Sequence, residues 1–280
     1  MPVDPQIQAL LDQRDWRAGD AYACRSPKRG GSTRRASPSW RRRPRWRRSR
    51  SARIDGPRGP IELRIYTPAG SGPFPLMVFF HGSGFVLCSL DTHDGMCRNL
   101  AAGIGCVVVS VDYRLAPRAQ VSRRAGRLPA RRPAGRRRMR PNCRADPARI
   151  MLAGDSAGGN MAAVTALRVR DEGGPALSGQ MLLYPVTDYH TPGTPSYVEN
   201  ADGYGLTRDT MEWFWAHYLN DAAEADHPHA SPLRAPDLGG PPPAYVVSAE
   251  YDPLRDEAER YGERLARRRR APPRSAAGRA

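Results

Sequence analysis

The stretch Gly154-Asp155-Ser156-Ala157-Gly158-Gly159 decides the fold of this 280-residue chain. It is preceded by the apolar run Ile150-Met151-Leu152-Ala153 and followed, over residues 157–172, by a sequence of helical character. A short apolar run bounded by glycine reads as a buried strand. A strand that enters a helix through small residues must turn sharply, and the turn holds the serine hydroxyl out from the backbone. Ser156 is therefore a candidate nucleophile, and a plain helix-entry serine is the other reading of the same residues.

Upstream, Phe79-Phe80-His81-Gly82-Ser83-Gly84-Phe85 again closes an apolar run. A loop of small residues can aim backbone N–H groups into a cavity, and with the N–H that follows a nucleophile it forms an oxyanion hole. The donors here are Ser83, Gly84 and Ala157. Read alone, the loop is a tight turn with a structural histidine, His81. Downstream, Asp252 follows the apolar run 244–249. Asp256 and Glu257 stand at the start of a predicted helix, where acids suit the dipole. Trp213, Phe214, Trp215 and Tyr218 share one predicted helix, and such an aromatic cluster reads as core.

Between these motifs, short apolar or β-branched runs alternate with helical stretches. Strands are predicted over 61–67, 76–80, 106–111, 150–153, 180–184 and 244–249, and helices over 92–103, 157–172, 207–219 and 256–264. This alternation predicts an α/β fold, a mainly parallel sheet covered by helices.

With these motifs in place, the chain resembles the hormone-sensitive-lipase-like bacterial esterases, the GDXG group of the α/β-hydrolase fold-3 family. The HGGG loop of that family is HGSG here, at residues 81–84, and its GDSAGG turn is intact. Val111-Asp112-Tyr113-Arg114-Leu115-Ala116-Pro117, Tyr184-Pro185 and Asp252-Pro253-Leu254-Arg255-Asp256-Glu257 match as well. The likeness covers 54–117, 145 to about 263, and roughly the first dozen residues. It implies the α/β-hydrolase fold and hydrolysis of carboxylic esters of short to medium acyl chain, with Ser156 as nucleophile and Asp252 as triad acid. It also implies that His81 shapes the loop and is not the base, and that no cofactor or metal is needed. A cap over the pocket would come from the N-terminal region, 1–53, and an insertion at about 188–226 within a hydrolase domain spanning 54–280. Ser83 departs from the pattern: its N–H survives, but a β-carbon now stands where the backbone approaches the acyl group.

In α/β-hydrolases the triad runs serine, acid, histidine. Here His81, His93, His190, His217, His227 and His229 all precede Asp252. His227 and His229 lie in a Pro-rich stretch leading to the next strand and are not expected to substitute. The expectation is an impaired ester hydrolase.

The charge is uneven. The chain carries +16 overall, yet residues 22–53, 118–144 and 264–280 hold 31 basic and no acidic side chains, while the rest holds 13 basic and 28 acidic ones. These windows show neither a helical nor a strand period and are expected to be irregular. Their Arg, Pro, Gly, Ser and Ala content is what GC-rich DNA yields when read off frame. The alternative reading, from another class, is an Arg-rich nucleic-acid-binding or non-catalytic protein on a relic hydrolase body. Since the basicity is confined to the windows, a small-molecule ester is the expected partner and nucleic acid is not.

Cys24, Cys88, Cys97, Cys106 and Cys143 form no CxxC pair and are odd in number, which predicts reduced structural thiols. The longest nearly apolar run, 100–111, is too short to span a bilayer. The first 13 residues show no signal-peptide pattern. A cytoplasmic location is expected, and no feature speaks to oligomeric state.

Overall fold

The computed structural model describes residues 46–56, 58–120 and 144–270. Seven strands form one sheet: β1 (Trp46–Gly56), β2 (Gly59–Pro68), β3 (Phe74–Phe80), β4 (Val107–Val111), β5 (Ala145–Asp155), β6 (Leu177–Leu183) and β7 (Ala244–Val247). Their order is β1-β2-β4-β3-β5-β6-β7. The pairs β1–β2 and β2–β4 are antiparallel, and every pairing from β4 to β7 is parallel. The helices are α1 (Asp94–Ile104), α2 (Ala157–Asp171), α3 (Pro195–Glu199), α4 (Arg208–Tyr218) and α5 (Arg255–Arg270).

This is the predicted α/β architecture. Strands β3, β4 and β5 are apolar on both faces because helices cover both sides of a parallel sheet. On one face Leu152, Leu182, Ala162, Ala163, Ala166, Leu167, Tyr261 and Leu265 form the core beneath α2 and α5. On the other, Met77, Phe79, Cys97, Ala101, Val108 and Ala153 pack under α1. Alanines on the inner side of α2 let it lie close to the sheet. Burial pushes the Cys97 thiol up to about 12 and the Cys106 thiol up to about 11, so both stay protonated and inert at neutral pH.

Two expectations about the Arg-rich windows are corrected. Residues 46–53 are not irregular: they lie in β1, which pairs with β2 along almost its whole length. A backbone ladder does not depend on side-chain period, and an edge strand tolerates charge on its open side. Arg53 also pairs with Glu62 across that ladder. Residues 264–270 continue α5 as helix. Arginine is a good helix former, while Tyr261 and Leu265 keep the inner face apolar and Arg264 donates to the carbonyls of Leu233 and Ala235. The rest of these windows, 22–45, 121–143 and 271–280, lies outside the described residues.

Candidate active site

The site is built at the carboxyl ends of the parallel strands, where α/β sheets bind ligands. Ser156 directly follows β5 and caps α2 with φ 54° and ψ −120°, a conformation seldom occupied by residues other than glycine. The strain is held by packing. Ser156 N–H donates to the Leu183 carbonyl at 2.8 Å, and its own carbonyl accepts from Asn160 and Val186. A β-carbon on Gly158 would lie 2.0 Å from the Phe80 carbonyl oxygen, and one on Gly154 would lie 2.2 Å from that of Gly158. Only glycine fits at either position. Although Ser156 occupies an N-cap, its hydroxyl makes no capping hydrogen bond. A serine at a helix start ordinarily caps it; this one does not.

The 81–84 loop lies against this turn. Gly82 N–H donates to Asp155 Oδ1 at 3.0 Å, and His93 Nε2 sits 3.2 Å from Asp155 Oδ2. Tyr113 stacks on His81 at 4.3 Å and donates its phenol to the His81 carbonyl at 2.7 Å. Burial lowers the pKa of His81, which keeps the ring neutral. Beyond these anchors the chain turns through positive φ at Ser83 (87°), Gly84 (59°) and Phe85 (67°). Among the described residues, no protein acceptor takes a hydrogen bond from the amides of Ser83, Gly84 or Ala157. The predicted donors and the predicted nucleophile are thus brought together.

The loop is roofed by α4. A β-carbon on Gly84 would lie 2.1 Å from Phe214, and Phe85 stacks on Tyr218 with centroids 3.8 Å apart. Phe214 and Trp215 are buried with Val186, Tyr197 and Met211, so the aromatic helix is core and cover at once.

Asp252 lies beyond β7, two strands from Ser156 along the same edge, or about 10 Å at the usual strand spacing. Its Oδ1 accepts from Leu254 N–H at 2.9 Å, and burial raises its pKa. No described side chain joins it to Ser156. His93 is engaged by Asp155 and His217 by the Trp213 carbonyl. His190 lies beside Thr191 and Glu212. His227 and His229 lie ring against ring at 4.6 Å, with His229 in the field of Arg168, Asp171 and Glu172 at the far end of α2.

Four positions here make contacts that the sequence did not show. Asp155, given no role of its own in the sequence reading, pins the 81–84 loop. Asn160 donates to the carbonyls of Val186 and Ala230 at 2.9 and 2.7 Å. Glu257 is fully buried and accepts from Thr187 N–H at 2.7 Å and Asp188 N–H at 3.2 Å. Asp256 accepts from Ser196 N–H at 2.9 Å. Both acids do stand in the first turn of α5, but their partners lie 60 or more residues away in sequence.

A family model described as the alpha/beta hydrolase fold matches residues 77–272. The chain belongs to the α/β-hydrolase fold family. It is 45% identical over 224 residues to "Esterase LipI" of Mycobacterium tuberculosis, an alignment covering 76% of this chain and 67% of the relative. It is 41% identical over 217 residues to "Carboxylic ester hydrolase LipN" of the same organism, covering 76% and 57%. The chain therefore spans between 57% and 67% of the length of these relatives. Among solved structures, the hyperthermophilic esterase of Pyrobaculum calidifontis superposes with a TM-score of 0.77 at 36% identity, over 96% of this chain and 86% of that one. These similarities agree with the resemblance to hormone-sensitive-lipase-like esterases. Among the described residues no helix is long and apolar enough to cross a membrane, and no cluster of side chains suits a metal ion.

Proposed function

We propose that this α/β-hydrolase acts on carboxylic esters of short to medium acyl chain through Ser156. The observation that carries the reading is the Ser156 hydroxyl, held in a strained turn without a capping bond beside the unengaged amides of Ser83, Gly84 and Ala157. The relatives named esterase and carboxylic ester hydrolase support it.

In this mechanism Ser156 Oγ attacks the ester carbonyl carbon and gives up its proton to a base. The carbonyl oxygen becomes an oxyanion that accepts from the three amides. Such preorganised donors typically contribute about 3 kcal/mol each. The intermediate then collapses, the alcohol leaves with a proton from the protonated base, and water hydrolyses the acyl-serine by the same steps in reverse order. Asp252 orients the base and stabilises its charged form. His81 shapes the donor loop. Residues from about 188 to 226 act as the cap.

All six histidines precede Asp252, and none is hydrogen-bonded to Ser156 or Asp252 among the described residues. Losing the triad base costs about a million-fold in turnover, roughly 8 kcal/mol of barrier. The 280-residue polypeptide should therefore hydrolyse p-nitrophenyl acetate only feebly. Added imidazole should raise the rate, and the part of that increase due to the protein should vanish in Ser156→Ala. An imidazole response equal in both proteins would refute Ser156 as nucleophile. Turnover typical of an ordinary esterase, abolished by changing His227 or His229, would refute the assignment of the base.

A further inference from the structure

Strand pairing ends at Val247, so the loop that carries Asp252 leaves the sheet before it reaches the acid. Residues 196–204 hold it from the other side. Asn200, only 4% exposed, gives its Nδ2 hydrogens to the carbonyls of Glu250 at 3.4 Å and Asp252 at 3.2 Å. Ser196 Oγ donates to the Pro253 carbonyl at 2.6 Å, and the Arg255 guanidinium spans Glu199 at 2.7 Å and the Glu250 carbonyl at 3.2 Å. Tyr204 stacks on Tyr251 at 4.9 Å, from a loop bounded by Gly203 and Gly205 at φ 89° and 97°. The same segment runs on into α4, whose Phe214 covers Gly84. One stretch of chain therefore touches both the donor loop and the acid loop.

We propose that Asn200 is a positioning residue for Asp252. It donates to two carbonyls two residues apart and so fixes the turn that aims the carboxylate along the sheet edge toward Ser156. A buried amide in this place cannot be replaced by water without reopening the clasp. Only an amide or a similarly short donor satisfies both carbonyls. The proposal rests on Asp252 being the triad acid, and it makes the pocket cover part of the machinery that orients the acid.

Asn200→Asp in the 280-residue chain tests this, because it keeps the shape and turns the donor into an acceptor facing two carbonyls. Amide exchange at pH 7 should be at least tenfold faster than wild type in peptides spanning 250–254 and unchanged in those spanning 154–160. Near pH 5, where a carboxyl in such a place regains a proton to donate, the ratio to wild type should shrink. In imidazole-dependent hydrolysis of p-nitrophenyl acetate, Asn200→Asp should lower kcat about tenfold and leave KM unchanged. Asp252→Asn should do the same, and the double variant should be no worse than Asp252→Asn. If Asn200→Asp does not fold, Asn200→Ser carries the same comparison with a smaller expected loss. Wild-type exchange in 250–254, or unchanged kcat where Asp252→Asn lowers it, overturns the role of Asn200. If Asp252→Asn leaves the imidazole-dependent rate untouched, the acid is misassigned and the proposal falls with it.

Discussion

The two loops that the proposed mechanism combines are built in opposite ways. The turn at Ser156 is held by main chain: strand pairing on one side, an α2 start on the other, and glycines so close to backbone that no β-carbon fits. The Asp252 loop is held by side chains of a distant segment, through Ser196, Glu199, Asn200 and Tyr204. A turn fixed by backbone contacts must be written in a narrow run of small residues. A loop fixed by side chains can be fixed by almost any sequence, provided the partners are placed correctly.

The contrast is tested most severely at Gly158. Gly158→Ala must push a β-carbon against the Phe80 carbonyl, and overpacking against backbone should cost more than about 3 kcal/mol in urea unfolding. A loss under 1 kcal/mol would show that the turn relaxes and that its glycines are not obligatory.

Glu257 should sort differently, by chemistry more than by size. Glu257→Ala leaves two buried amides without an acceptor and should cost about 2 to 3 kcal/mol. Glu257→Gln keeps an acceptor oxygen and should be tolerated. Burial holds the Glu257 pKa well above its usual 4.5, outweighing the two amides that favour the charged form. The folded state therefore holds this proton more tightly than the unfolded chain does. The resulting stability is fully present below pH 4.5 and is lost as pH rises toward the folded pKa. Glu257→Gln removes that dependence, so its stability relative to wild type should rise with pH above 4.5. A difference that stays constant from pH 4 to 8 would sink this account.

Two smaller effects concern backbone strain. Ser156→Gly should relieve the φ 54°, ψ −120° conformation and stabilise the fold by about 1 to 2 kcal/mol while removing fluorophosphonate labelling. Ser83→Gly, at φ 87°, should stabilise by about 1 kcal/mol. It should also shift acyl-length preference more than acetate turnover, if the β-carbon narrows the cavity. Identical chain-length profiles would place that side chain away from the acyl group.

Much of this was legible in the sequence because it follows local periods. Every predicted strand has its counterpart among β2 to β7, and all four predicted helices are present. The misses also have causes. Strand β1 is Arg-rich and shows no strand period, since an edge strand is specified by its ladder with β2. Helix α3 has only five residues, too few to display a helical period. Helix α5 runs past Arg264 because arginine sustains a helix whose inner face is carried by Tyr261 and Leu265.

By itself, then, the sequence determined the turn at Ser156 and the turn at 81–84, because glycines and small residues impose those conformations locally. Only the tertiary structure decided that Asp155 binds Gly82, that Glu257 holds Thr187 and Asp188, and that Asn200 reaches the carbonyl of Asp252. These partners stand 52 to 73 residues apart. No periodicity encodes such pairs, since they depend on which segments the fold brings together and on which polar groups are buried beside one another.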